Sequence, residues 1–243
     1  MKISVCIPMY NESAIIANNA KRLWEYMESN FVNDLGEREY EIIYSNDGSN
    51  DGCDNIVRDL NLPGIIVTGY EHNQGKGYAV RTAMLQAQGD VCMFTDADLA
   101  YGTEVIKQMV EEFDKNPQSQ LVIGSRNLSG NGYENYTFLR KLASKTYIKV
   151  LCIVGGFKLS DSQCGCKGFR RDAVKEIFPR LEVKGFAFDF EALLWATKLG
   201  YRITEMPVSI KVHGESKVRI VRDTFKMLRD IISMKKRINK TKI

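Results

Sequence analysis

Short β-rich runs recur along the first half of the chain, and each of the first four leads through a polar turn into a stretch with helical spacing. The runs are Lys2–Pro8, Tyr40–Ser45, Gly64–Tyr70, Asp90–Thr95 and Gln120–Gly124. The helical stretches are Ala14–Ser29, where Ile15, Leu23, Tyr26 and Met27 carry the period, then Cys53–Leu60, Lys76–Ala87 and Thr103–Lys115. Strands joined through helices need crossover connections, and crossovers place strands parallel with helices packed over the sheet. The expected fold class is therefore α/β: a doubly wound, mostly parallel sheet with helices on both faces. The second half mixes helices over Tyr136–Val154 and Phe190–Leu199 with short strands at Phe169 and Ile203–Pro207. A length of 243 residues suits one such domain. We assign residues 1–213 to it and 214–243 to a basic, amphipathic C-terminal segment.

Charge sets that segment apart. Ten Lys or Arg fall within 214–243 against three acids, a net of +7, so the rest of the chain carries −3 of the overall +4. Such asymmetry points to an anionic partner, a membrane surface or a nucleic acid. No recognised nucleic-acid-binding motif accompanies the charge, so nucleic acid is not an expected partner. Val218, Val221, Phe225, Leu228, Ile231 and Ile232 share one broad helical face, with Arg222, Lys226 and Arg229 opposite. A basic amphipathic helix of this kind lies in a membrane interface or packs its apolar face on the body. No apolar run approaches the roughly 20 residues of a membrane span. The first apolar run is broken by Ser4 and Pro8 and does not read as a signal peptide. The expected location is cytoplasmic, peripheral on the inner face of a membrane, without a transmembrane helix. Of the six cysteines, Cys6 and Cys92 sit in core strands, and Cys164-Gly-Cys166 has no zinc spacing.

The sharpest chemical feature is Phe94-Thr95-Asp96-Ala97-Asp98-Leu99. Ligands of open α/β sheets bind beyond the carboxyl ends of the strands. If the extended backbone persists there, Asp96 and Asp98 point to one face. Two carboxylates in that place suit Mg²⁺ or Mn²⁺, with substrate phosphates completing the coordination. The plainer alternative is that these acids cap the following helix. Three more strand-end turns should reach the same crevice. Ile7–Glu12 offers the Tyr10 ring for stacking and Glu12 as an acceptor. In Ser45–Ser49, Asp47 can accept a hydrogen bond from a base N–H, or it is part of an ordinary Asp-Gly turn. Asn73-Gln74-Gly75-Lys76-Gly77 is a glycine-rich helix start suited to close approach by a phosphate. It matches neither Walker A nor the dinucleotide fingerprint.

Together, Ile7–Glu12, Ser45–Gly52, Asn73–Arg81 and Asp96–Asp98 resemble family-2 glycosyltransferases of the GT-A fold. Gly124-Ser125-Arg126, Asp161-Ser162-Gln163-Cys164-Gly165, Gly185–Glu191 and Gly214-Glu215-Ser216-Lys217 narrow the resemblance to the dolichyl or polyprenyl phosphate sugar transferases. The resemblance implies that Pro8, Tyr10, Glu12 and Asp47 hold the nucleoside, with Lys76 also on the donor. It implies that Asp96, the Ala97 backbone and Asp98 hold the diphosphate and metal. Arg126, Lys211 and Lys217 match basic positions near phosphates or sugar, and Arg126, Gln163 and Lys167 are assigned to the acceptor. Two positions depart from the pattern: Ala100 stands where mannose synthases often carry a Gln, and Asn46 replaces a frequent Asp. The Ser-Gln-Cys-Gly run favours UDP-glucose over GDP-mannose.

A bound cation would neutralise a diphosphate leaving group, and one displacement would invert the anomeric centre. A lipid phosphate acceptor is already anionic and needs no strong base. That suits a chain whose two histidines, His72 and His213, stand in no triad-like setting. Asp98, Asp189 and Arg126 are the candidate catalytic residues. Asp189 and Glu191 position the acceptor, serve as a base for a hydroxyl, or stabilise a helix start. Lys167, Arg170 and Arg171 read equally as a solvated face. The alternatives are a related transferase acting on a saccharide or other hydroxyl, and a non-catalytic nucleotide-sugar-binding or membrane-scaffold domain. The Asp96/Asp98 pair argues against the last.

Overall fold

The computed structural model describes residues 1–130, 138–211, 231 and 233–241, the side chains of 138–144 and 147 apart. Seven strands are described: β1 (Ile3–Met9), β2 (Tyr40–Asp47), β3 (Ile65–Tyr70), β4 (Val91–Phe94), β5 (Leu121–Ser125), β6 (Lys167–Arg170) and β7 (Ile203–Pro207). They form one sheet in the order β3-β2-β1-β4-β6-β5-β7. β6 alone runs antiparallel, wedged between β4 and β5. Strand β6 is anchored at Phe169, where the sequence predicts a strand. Its reversed direction follows from its entry off the turn at 161–166.

The helices are α1 (Ser13–Asn30), α2 (Cys53–Asp59), α3 (Lys76–Gln86), α4 (Glu104–Lys115), α5 (Phe138–Gly155), α6 (Arg171–Ile177) and α7 (Phe188–Lys198). The sequence reading does not include α6, a helix of seven residues and too short to show a period. Successive strand residues feed opposite cores because side chains alternate across a sheet. Ile3, Val5, Ile7 and Met9 pack with Ile16, Leu23 and Met27 of α1 and Met109 and Phe113 of α4. Cys6, Cys92 and Phe94 face the other way, onto α3, α6 and α7. All six cysteines are buried free thiols.

The C-terminal stretch bears on the membrane expectation. Ile231, Met234 and Ile238 are buried in the core that contains α7. Lys235 donates to the Val154 carbonyl, and Arg237 pairs with Glu182 and Glu191. Along its described residues the segment therefore turns apolar side chains to the body. The rest of the predicted amphipathic face, from Val218 to Leu228 with Ile232, lies outside the described residues, as do His213 and Lys217. Among the described residues, no helix is long and apolar enough to cross a membrane.

Candidate active site

The turns after β1, β2 and β3 are tied to one another. Asn11, held at φ +54°, donates from its backbone to Ser49 Oγ at 3.0 Å, and its Oδ1 accepts the Asn50 N–H. Ser13 N–H donates to Asp51 Oδ2 at 2.8 Å, so a carboxylate from the second turn caps the start of α1. Pro8 is buried, Glu12 is half-buried, and the Tyr10 ring stands open to solvent.

Asp47 is buried, and both of its oxygens are engaged by the protein. Oδ1 accepts from Tyr70 Oη at 2.6 Å and from the Gln74 and Gly75 N–H groups; Oδ2 accepts from Asn73 Nδ2 and again from Gly75. A carboxylate offers about four lone-pair directions, and these donors fill them. Asp47 thus shapes the loop ahead of Lys76, where the sequence reading has it receiving a nucleobase. The glycines of that loop also serve the protein. Gly75 sits at φ +104°, and a Cβ there would lie 2.5 Å from the Lys184 carbonyl oxygen. A Cβ at Gly77 would lie 2.5 Å from Phe188 Cβ. The close approach predicted for a phosphate is taken by the 183–188 segment.

The carboxylate pair meets through a turn, not through extended backbone. Beyond β4 the Leu99 N–H closes onto the Asp96 carbonyl at 3.0 Å, and buried Leu99 adopts φ +50°. A buried leucine at positive φ costs roughly 1–3 kcal/mol and marks an over-determined site. Asn19 of α1 donates to the Ala97 carbonyl at 2.9 Å, and Asp98 Oδ1 accepts the Ala100 N–H at 3.0 Å. Neither acid caps α4, whose start has no side-chain cap bond. Lys76 forms an ion pair with Asp96 Oδ1. Burial, then the neighbouring Asp96 charge, push the Asp98 carboxyl above its ordinary range. Burial works to lower the Lys76 ammonium, but Asp96, with Asp189 and Asp98 behind it, holds it above its ordinary value. The 161–166 segment lies directly on the pair: a Cβ at Gly165 would stand 2.7 Å from Asp96 Oδ2.

Three more of the proposed basic contacts are tied to acids. Lys167 is fully buried, and its Nζ donates to Asp189 Oδ2 at 2.8 Å and to the Cys164 carbonyl at 2.6 Å. It cannot present a solvent-facing cation to an acceptor; it is the counter-charge of Asp189, set beside Phe94 in the β4–β6 register. The solvated-face reading of Lys167 fails for the same reason. Arg126 forms a two-point pair with Asp161, Nε and Nη2 at 2.7 and 3.0 Å, with its side chain 12% exposed. Gln163 N–H donates to Asp161 Oδ1 at 3.1 Å. Lys211 reaches the carboxylate loop through its backbone, donating to the Ala100 carbonyl at 2.7 Å, and its Nζ pairs with Glu104 at 2.9 Å. Glu191 is buried and accepts the Glu182 and Val183 N–H groups, so it supports the 183–188 segment. Arg170 and Arg171 likewise bond to backbone carbonyls of the body.

A parallel sheet with an acid pair at a strand end, covered by a glycine-bearing segment, is the arrangement to compare with known proteins. The sequence pattern of Glycosyl transferase family 2 matches residues 4–178. The chain belongs to that family. A dolichyl-phosphate beta-glucosyltransferase of Trichomonas vaginalis is 32% identical over 220 residues, covering 88% of this chain and 65% of that protein. One of Saccharomyces cerevisiae is 29% identical over 248 residues, covering 95% and 73%. This chain thus spans about two thirds of the length of the first. In fold it resembles glucosyl-3-phosphoglycerate synthase of Mycobacterium tuberculosis, solved with Mn²⁺, UDP-glucose and glycerol 3-phosphate. The TM-score is 0.67 at 17% identity, over 96% of this chain and 78% of that one.

Several residues of this family-2 glycosyltransferase that build the site escape the sequence reading. Asn19, Asp51, Tyr101 and Lys184 act on the loops from distant elements. Tyr101 Oη, for example, accepts the Gly165 N–H at 3.2 Å and fixes the segment over Asp96. Their only sequence signal is a polar or aromatic side chain inside an otherwise ordinary helix or turn. Among the described residues no cluster of three His, Cys, Asp or Glu side chains gathers to hold a metal.

Proposed function

We propose that this transferase moves a hexose from a nucleotide sugar, UDP-glucose before GDP-mannose, to a polyprenyl phosphate, inverting the anomeric centre. The observation that carries the acceptor class is the buried Lys167–Asp189 pair. A hydroxyl acceptor needs a base near the reacting centre. The candidate base Asp189 is paired with a buried ammonium and accepts the Phe190 N–H at 2.7 Å. A phosphate monoester oxygen is already a nucleophile near neutral pH. It attacks C1 from the face opposite the nucleoside diphosphate, which leaves with the bonding pair and needs no proton transfer.

Asp96 and Asp98 would hold Mg²⁺ or Mn²⁺. The residues fit such an ion: burial and the Asp96 charge raise the Asp98 carboxyl, Lys76 only partly offsets the pair, and among the described residues no third ligand stands by, so substrate oxygens would complete the shell. A cation there supplies charge neutralisation to the diphosphate. Tyr10 and Glu12 would flank the nucleoside, Asp47 shapes the loop that presents Lys76, and Arg126 and Lys211 would serve the phosphates. The names of the curated relatives support the lipid acceptor, and the Mn²⁺ and UDP-glucose bound to the mycobacterial synthase support the donor and metal. Work on such an acceptor takes place peripherally at a membrane.

The test offers UDP-glucose and GDP-mannose separately, with Mn²⁺ or Mg²⁺ and dolichyl phosphate, followed by organic extraction. Label in the organic phase with UDP-glucose supports the reading. Metal-dependent donor binding with no label in the lipid from either donor refutes the lipid acceptor.

A further inference from the structure

The described end of the C-terminal stretch reaches the donor loop through one buried carboxylate. Glu191, in the first turn of α7, is fully buried. Its Oε2 accepts the Glu182 N–H at 3.0 Å and the Val183 N–H at 2.8 Å. Its Oε1 accepts Arg237 Nη2, and Arg237 also pairs with the exposed Glu182 carboxylate. Arg237 therefore joins the two ends of the 182–191 segment. Arg81, whose charge also acts on Glu191, donates instead to the Phe178 and Pro179 carbonyls. Burial pushes the Glu191 carboxyl up to about 7, against the pull of the Val183 N–H and the Arg81 charge. A bonded guanidinium favours the ionised form, which keeps both oxygens as acceptors.

Arg237 is itself held in place. Residues 233–240 are helical, and Ile231, Met234 and Ile238 are buried in the core that contains α7. Lys235 donates to the Val154 carbonyl of α5, and Lys198 of α7 donates to the Ile238 and Thr241 carbonyls. A cation on the last carbonyls of a helix satisfies groups that have no partner within it.

The grip on Val183 matters because the residues after it lie against the donor loop. The Lys184 carbonyl accepts the Tyr78 N–H at 3.2 Å, and Lys184 Nζ donates to Gln74 Oε1 at 2.7 Å. A Cβ at Gly77 would stand 2.7 Å from the Val183 carbonyl oxygen and 2.8 Å from that of Gly185. With Gly75 set against the Lys184 carbonyl, the 183–185 backbone touches the residues on both sides of Lys76. Lys76 in turn pairs with Asp96. A shift of 183–185 therefore carries Lys76 with it.

We infer that Arg237 is a positioning residue for the donor: through Glu191 it fixes the 182–185 backbone, and that backbone sets Lys76 beside Asp96 and the diphosphate. The inference rests on the nucleotide-sugar reading above and extends it to a helix 46 positions beyond Glu191 in the chain. It gives the C-terminal stretch a part in donor binding, separate from any membrane contact.

The experiment uses the full chain with Arg237→Met, Arg237→Lys and Lys235→Met. Lys235→Met loosens the same helix from α5 without removing the Glu191 contact, so it reports a merely structural loss. Measurements are made at a temperature at which circular dichroism shows every protein folded. Trypsin cleavage after Lys184, followed by the mass of the fragment ending there, reports opening of the segment. Rates titrated against UDP-glucose and, separately, against dolichyl phosphate give the two KM values. Arg237→Met should be cut after Lys184 about tenfold faster, because a charged contact that closes the segment is lost. Its donor KM should rise about tenfold as Lys76 loses its place, with the acceptor KM nearly unchanged. Arg237→Lys should recover most of both effects, and Lys235→Met should leave both near wild type. Unchanged cleavage or unchanged donor KM in Arg237→Met overturns the inference. An equal rise in the acceptor KM, or the same effects in Lys235→Met, also overturns it. Wild-type protein that binds neither UDP-glucose nor GDP-mannose overturns the donor reading, and cleavage after Lys184 then upholds or overturns the clamp by itself.

Discussion

Replacing Lys167 by Met distinguishes a buried counter-charge from an acceptor contact. The methionine keeps the length and apolar stem of the side chain and removes the ammonium. Asp189 is then left as a carboxylate with a 9% exposed side chain, retaining only the adjacent Phe190 N–H at 2.7 Å and the more distant field of Lys76. The Cys164 carbonyl also loses its donor. Removing one partner of a buried ion pair costs roughly 3–5 kcal/mol. The residual contacts of Asp189 place this case at the lower end, about 3 kcal/mol. For a domain of this size that lowers Tm by roughly 6–12 °C. The assay is thermal and urea unfolding of wild type, Lys167→Met, Asp189→Leu and the double variant. The double variant, with neither charge buried, should recover most of the loss, giving a coupling of about 2 kcal/mol or more. A Lys167→Met protein of wild-type stability whose KM rises for the acceptor alone would refute this reasoning and restore Lys167 to the acceptor.

Asp98→Ala should lower turnover by about a hundredfold or more, with Tm little changed and divalent-cation dependence of donor binding lost; wild-type turnover would remove the metal role. Gly75→Ala places a Cβ against the Lys184 carbonyl at a φ of +104° and should cost about 1–3 kcal/mol. Because the displaced loop carries Lys76, the donor KM should rise with it, as a titration of rate against UDP-glucose would reveal. Asp51 is pushed up by burial but pulled below its ordinary range by the Ser13 and Cys53 N–H groups. A folded carboxyl held below its unfolded value contributes stability above the ordinary carboxylate pKa and loses it as pH falls through the lower folded value. Asp51→Asn should therefore cost about 1 kcal/mol near neutral pH and show a shallower loss in acid unfolding curves.

Much of this protein is determined locally and could be read from the chain. The β-rich runs and the helical spacing between them are short-range patterns, and they dictate crossover connections, hence a parallel sheet with a ligand crevice at its carboxyl end. The Asp96–Asp98 pair is legible for the same reason: its meaning comes from standing just past Phe94. Only the tertiary structure decided where charges find their partners. Lys167 lies 22 positions from Asp189 in the chain, yet an antiparallel strand carries it under the site and buries it. Asp47 looks like a free acceptor until Asn73–Gly75 folds over it, and Gly75 looks like room for a phosphate until Lys184 fills that room. The face of the C-terminal stretch was ambiguous for a like reason. An amphipathic pattern records that one side must leave water, but whether protein or lipid covers it depends on which apolar surface the rest of the fold leaves within reach.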